Sequence, residues 1–221
     1  MVLNKHVDGL YSVDTALNVK QVKDTCFKLY DIIKTNFQNN SDHNGQSTLD
    51  TELHTKYNLL LYPLPGIHEL YFEISKVFHE CKLKENIGLN EKYVIQSWLN
   101  FFNKGDFIDW HQHTSVDFNC WHGFLCVDTE PDSFTSYKWP NEKNNIIDVP
   151  SKNGRIVMGR SNGDVHRSSE WPYLDRPRIT IAFDIVPTRF VTGWCMKNDP
   201  DPRYLNAMKR SAMFVNHWIP I

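Results

Sequence analysis

Between Asn18 and about Gln38 the apolar residues Val22, Cys26, Leu29, Ile33 and Phe37 recur every three or four positions, which predicts an amphipathic helix. Asn18 suits its N-cap and Gln21 the reciprocal capping position. The polar run Asn39–Gly45 then predicts a loop. Pro63, Pro65 and Gly66 open a second helix, whose apolar face of Ile67, Leu70, Tyr71, Ile74, Val77, Phe78 and Cys81 continues to about Leu83 and should pack on a sheet. His68 and His79 lie in this helix without a histidine four residues on and receive no role. Beyond Tyr93 the pattern shifts to short runs of β-branched and aromatic residues broken by Gly, Asn, Asp and Pro. Strands are expected at Tyr93–Phe102, Phe107–His113, Cys120–Val127, Ser133–Trp139, Ile146–Val149, Arg155–Gly159, Asp164–Ser168 and Arg178–Val186. Short strands following two helices suggest an α+β chain with a jelly-roll core supported by helices.

No stretch reads as a linker, so one domain is expected over 1–221: a helical part at 1–92, the jelly-roll core at 93–187 and a C-terminal extension at 188–221. The extension holds a turn-rich Lys197–Pro202 and a weakly amphipathic Arg203–Val215. Its apolar end, Phe214–Ile221, should dock on the body or on a second copy as a homodimer contact. A chain of 221 residues buries roughly 70% of its unfolded surface and needs no covalent staples. Its five cysteines, Cys26, Cys81, Cys120, Cys126 and Cys195, are odd in number and form no CxxC pair. That argues against a disulfide framework or a thiolate zinc knuckle and for a reducing cytoplasm. No run approaches the ~18 apolar residues of a membrane helix, and the first residues lack a signal-peptide core, so a soluble protein is expected. The 24 basic and 26 acidic residues are well mixed, so nucleic acid is not indicated as a partner.

His111 and His113, two apart on an extended segment, should face the same way at the end of a strand. His166, after the turn Ser161–Asp164, offers a third imidazole. Such a set suits Fe(II), Zn(II), Cu(II) or Ni(II) alike. Arg178 and Thr180 share a face in the apolar strand Arg178–Phe183, placing a forked cation beside a hydroxyl, which suits a carboxylate. In so apolar a strand the guanidinium should point inward and need an anion. Trp98, Asn100 and Tyr137 are candidates for the pocket wall, and the two polar ones must find partners if buried. His122 reads as a supporting or packing residue, and Gly123 as a point of close backbone approach. Trp139, Trp171 and Tyr173 fall at predicted loops, where they could form a substrate rim or anchor the loops.

These residues resemble the 2-oxoglutarate and Fe(II)-dependent oxygenases, and within them a hydroxylase branch found in bacteria and phages. The resemblance covers about residues 45 to 187. It runs through Gly45-Gln46-Ser47, Ser97-Trp98-Leu99-Asn100, Lys104-Gly105-Asp106, His111-Gln112-His113, His122-Gly123-Phe124, Gly154-Arg155-Ile156-Val157, His166 and Arg178-Ile179-Thr180-Ile181-Ala182-Phe183. It implies a double-stranded β-helix, with Fe(II) held by His111, His113 and His166. It also implies 2-oxoglutarate bound by Arg178 and Thr180, with Asn100 and Tyr137 nearby, and O2 as oxidant. The coupled reaction would decarboxylate 2-oxoglutarate to succinate while hydroxylating a small-molecule or peptide substrate, in a host cytoplasm if phage-encoded. His113 departs from the family, which more often has a carboxylate there, and leaves Asp109 or Asp117 as alternative third ligands. A three-histidine cupin-like metalloenzyme that does not use 2-oxoglutarate, and a jelly-roll binding protein without catalysis, are the competing readings.

Overall fold

The computed structural model describes residues 2–37, 47–53, 56–113, 119–129, 133–140, 146–161, 163–189 and 218–221. A hairpin comes first, β1 (Asn4–Val7) and β2 (Leu10–Asp14), then the helices α1 (Val19–Phe37) and α2 (Ile67–Glu85). The strands β3 (Tyr93–Phe102), β4 (Trp121–Asp128), β5 (Phe134–Lys138), β6 (Ile146–Pro150), β7 (Arg155–Arg160), β8 (Val165–Ser168), β9 (Arg178–Pro187) and β10 (Ile219–Pro220) follow. Strand pairing is antiparallel throughout these residues, in a seven-stranded sheet ordered β1-β2-β7-β4-β9-β3-β10 and a three-stranded sheet ordered β6-β5-β8.

Alternation along the central strands separates two chemistries. Ile95, Leu99 and Phe101 of β3, Ile179, Ile181, Phe183 and Ile185 of β9, and Trp121 and Leu125 of β4 join the helix residues Val22, Cys26, Leu29, Ile33, Leu70, Ile74, Val77 and Phe78 in one core. Phe101 stacks on Tyr30 of α1 at 4.2 Å and meets Phe27 edge-on at 5.5 Å. On the opposite face, Leu10 and Val157 of the large sheet pack with Tyr137, Trp139 and Val149 near the small sheet. The large sheet is therefore covered by helices on one side and by the small sheet on the other.

Both predicted helices form with the expected faces inward. Asn18 Oδ1 accepts from the Gln21 backbone N–H at 3.2 Å, as a cap should. Left-handed Asn86 closes α2, its N–H reaching the Leu83 carbonyl at 3.3 Å. From Ser97 to Phe101 one edge of β3 is covered by the side chains of Thr51, Tyr57 and Asn58. Asn58 Oδ1 accepts from Ser97 N, the Tyr57 hydroxyl from Leu99 N and Thr51 Oγ1 from Phe101 N, at 2.8–3.1 Å.

Two expectations change, and a third, the docking of the C-terminal end, is met on the chain's own body. Residues 4–14 form strands that extend the large sheet through β2–β7 pairing, so the N-terminal part is helical only from Val19. Phe107–His113 is not a continuous strand. It touches its neighbours through isolated bridges, Ser47 to Ile108 and His111 to His166, because the left-handed turn at Gly105 delivers the chain beside β8 over only a few residues. Ile219–Pro220 pairs with β3 of its own body, and Tyr71 donates to the Pro220 carbonyl at 2.7 Å. The Asn39–Gly45 loop, Asp117, Cys195 and the stretches Lys197–Pro202 and Arg203–Val215 lie outside the described residues. Among the described residues the four cysteines are buried and form no disulfide, and no helix is long and apolar enough to cross a membrane.

Candidate metal centre

His111 and His166 are exchanged across a two-bond backbone bridge, His111 N to His166 O at 3.0 Å and His166 N to His111 O at 2.9 Å. That pairing sets their rings 4.4 Å apart, and the His113 ring lies 5.2 Å from His111 and 5.1 Å from His166. One ring nitrogen from each of the three lies within 4.8 Å of the others, an arrangement that could hold a metal ion. Each ring is also oriented through its other nitrogen. His111 Nδ1 donates to the Asp109 carbonyl at 2.8 Å, His113 Nδ1 faces Asp184 Oδ1 at 2.7 Å and His166 Nδ1 donates to Asp164 Oδ2 at 3.3 Å. An acceptor on Nδ1 fixes the tautomer that leaves Nε2 as a lone pair for a metal.

Burial keeps two of the rings neutral. His111 is pushed down to about 4 by burial and then by the neighbouring His113, and burial holds His166 well below the usual range against its bond to Asp164. For His113 burial works against the charged ring, but the carboxylates of Asp184, Asp164 and Glu52 outweigh it and its pKa is raised. Burial alone would raise the Asp164 carboxyl, but its close contacts with His122 and His166 hold it far below the usual range.

One pocket is lined by all three imidazoles together with Trp98, Asn100, Phe102, Arg178, Thr180 and Ala182. The β3–β9 register explains the grouping: Phe102 pairs with Arg178, Asn100 with Thr180, Trp98 with Ala182 and Gln96 with Asp184. These pairs share a face and follow one another at about 7 Å per step. The imidazoles sit at the Trp98–Asp184 end, where His113 stacks on Trp98 at 6.3 Å. Arg178 occupies the other end. It is 1% exposed, lies over the Phe102 ring at 4.8 Å and reaches the Ser169 carbonyl at 3.4 Å. Its Nε is buried without a partner, and among the described residues no carboxylate pairs with it. Burial alone pulls its pKa down to about 10. A desolvated guanidinium in this state costs on the order of several kcal/mol and calls for an anion.

Asn100 Oδ1 and the Tyr137 hydroxyl are both buried without a hydrogen-bond partner among the described residues. Asn100 lines the pocket, whereas Tyr137 stands behind it, opposite His166 in the β5–β8 register and 5.1 Å from its ring. His122 is 2% exposed, with Nε2 3.1 Å from Asp164 Oδ2, so it belongs to the shell that holds His166. A side chain at Gly123 would meet the Val157 carbonyl at 2.3 Å and the Phe183 ring at 2.7 Å, which requires glycine there. Asp109 is exposed and its carboxylate accepts from Trp110 N, so it takes no place among the imidazoles. Trp139 and Trp171 are buried anchors rather than rim residues. Trp171 packs with Leu49, Phe102 and Ile108 and donates to the Arg176 carbonyl at 2.8 Å.

Sequence reasoning missed Asp164, Asp184 and Glu52. Asp184 was legible: it continues the inward alternation Arg178, Thr180, Ala182 and is the one acid in an apolar strand. Asp164 could be found two residues before His166, but its burial could not. Glu52 sits in an irregular segment without periodicity.

No known family model matches the chain, and no curated protein sequence matches it. Its structure is similar to that of a prolyl-4-hydroxylase from Pseudomonas putida, at 11% identity and a TM-score of 0.54, covering 82% of this chain and 94% of that one. A prolyl hydroxylase from Trichoplax adhaerens, solved with a hypoxia inducible factor oxygen degradation domain peptide fragment, aligns at 12% identity over 83% of this chain and 86% of that one, TM-score 0.55. The non-heme alpha ketoglutarate dependent carbocyclase SnoK from nogalamycin biosynthesis aligns at 10% identity over 81% and 80%, TM-score 0.54. At these identities the likeness establishes one thing, that the chain shares the fold of these enzymes.

Proposed function

We propose that this chain is an Fe(II)- and 2-oxoglutarate-dependent oxygenase with a double-stranded β-helix core, hydroxylating a small-molecule or peptide substrate. The observation that carries the reading is the pairing, within one pocket, of three pre-oriented imidazoles with a buried Arg178 that has no carboxylate partner among the described residues. His111, His113 and His166 would hold the metal through Nε2. Arg178 and Thr180 would take the far carboxylate of 2-oxoglutarate, with Asn100 beside them. When bound, metal and co-substrate supply the oxidising chemistry, with O2 consumed, 2-oxoglutarate converted to succinate and CO2, and a substrate C–H hydroxylated.

The chain's own residues orient and desolvate. Asp164 and Asp184 fix the ring planes of His166 and His113. Phe102 and Ile108 line the pocket near Arg178 and keep water from the guanidinium, which strengthens its hold on an anion. The Tyr137 phenol, pushed well above its usual range by burial, stays a neutral donor behind His166. The absence of a carboxylate from the imidazole trio favours a second reading, a three-histidine metalloenzyme that does not use 2-oxoglutarate. The two separate on succinate release in air with Fe(II). Release that requires 2-oxoglutarate and disappears in His166→Ala supports the oxygenase. Metal-dependent turnover indifferent to 2-oxoglutarate supports the alternative.

A further inference from the structure

We propose that the substrate presents a cationic nitrogen, an alkylammonium or a guanidinium, which Glu52 receives beside the Trp98 ring. This rests on the oxygenase reading and names the substrate class for the same pocket. Glu52 lines the pocket with Trp98 and His113, and its carboxylate acts on the His113 ring. Its backbone is pinned to the sheet by its neighbour, since Thr51 Oγ1 accepts from Phe101 N at 3.1 Å and the Thr51 carbonyl accepts from the Tyr57 hydroxyl at 2.8 Å. Glu52 Oε2 is buried and receives no hydrogen bond from the described residues.

A second acceptor is in the same condition. Asn100 is 5% exposed, lines the pocket, and its Oδ1 has no donor. Its NH2 end remains available to the co-substrate carboxylate. Two bare acceptors on the pocket wall call for an occupant that donates, and a carboxylate among them calls for a charged donor. Trp98 adds an aromatic surface, which favours cations. Glu52 is in neither group of side chains that could hold the metal, although its carboxylate also acts on the His113 ring.

The test pairs cations with neutral counterparts: L-lysine against L-norleucine, and L-arginine against L-citrulline. Succinate release above the substrate-free rate is measured in the Fe(II)-loaded full chain with 2-oxoglutarate. At least one cation is expected to raise the rate tenfold or more over its counterpart. Glu52→Gln should lose that increment, Glu52→Asp should keep part of it, and both should form the visible Fe(II)–2-oxoglutarate chelate band as the parent does. No preference for cations in the parent, or an undiminished increment in Glu52→Gln, overturns the proposal. Loss of the band in Glu52→Gln alone also overturns it, by placing Glu52 in the metal centre. Failure of the parent itself to form the band is read before any substrate is added, and it removes the oxygenase reading instead.

Discussion

Arg178 combines complete burial, an aromatic floor in Phe102 and a guanidinium whose Nε has no partner. A group this poorly compensated destabilises the empty protein. Replacing it by an apolar side chain of similar length should therefore relieve strain while removing function. Arg178→Met is expected to raise the melting temperature of the ligand-free protein by about 2–6 °C, corresponding to roughly 1–2 kcal/mol, and to raise the KM for 2-oxoglutarate at least tenfold with Fe(II) affinity nearly unchanged. A lower melting temperature or an unchanged KM would move the clamp elsewhere, with Arg176, now over the Tyr173 ring at 5.2 Å, as the next cation. At this scale the sequence was informative where spacing carries direction. The two-residue step from His111 to His113 and the alternation through Arg178 and Thr180 anticipated which side chains would meet. Of the acceptors that orient the imidazoles, Asp184 was legible in the same alternation, whereas the role of Asp164 was not, because its burial depends on strands distant in sequence.

Among the elements, the eight strands expected from Tyr93 onward mostly appear within a residue or two of their expected ends, because runs of β-branched and aromatic residues between Gly and Asn breaks are a strong local signal. The hairpin β1–β2 was overlooked although Asp8-Gly9 between Val7 and Leu10 is a two-residue turn of the type that favours it, with Gly9 at φ +83°. Thr51, Tyr57 and Asn58 were illegible for a different reason. They cover an edge of β3 with side chains, and such cover leaves no periodic trace. Gly123 shows how tightly β4, β7 and β9 are set behind the pocket. Gly123→Ala is expected to cost about 2–3 kcal/mol in chemical denaturation, since the new methyl meets backbone at Val157 and the Phe183 ring, neither able to yield freely. A cost below about 0.5 kcal/mol would mean that the sheet opens at this point more easily than its packing implies.

The whole molecule places a helix-backed sheet opposite a smaller one and keeps its polar residues in the gap between them, so stability and function compete there. His111 and His166 have folded pKa values below the unfolded value of about 6.5, and they take up protons first in the unfolded chain. Through linkage, stability must fall as pH drops from about 6.5 toward 4. His113 acts with the opposite sign and in a different window: its raised pKa adds stability that is complete below about 6.5 and is lost as pH rises above that point, so it does not offset the fall. Thermal melts of the metal-free protein are therefore expected to show a falling melting temperature between pH 6.5 and 5, above the range where ordinary carboxylates titrate. A flat or rising profile would mean that the two rings are not held neutral.

The central claim is that metal and 2-oxoglutarate bind side by side between the imidazoles and Arg178. Anaerobic titration of the metal-free protein with Fe(II), followed by 2-oxoglutarate, tests it most directly through the weak visible charge-transfer band that only the chelate produces. The band should appear after both additions, saturate near one equivalent of each and be missing in His166→Ala. Fe(II) binding with no band on adding 2-oxoglutarate would contradict the account and leave a three-histidine metal site with a different partner for Arg178.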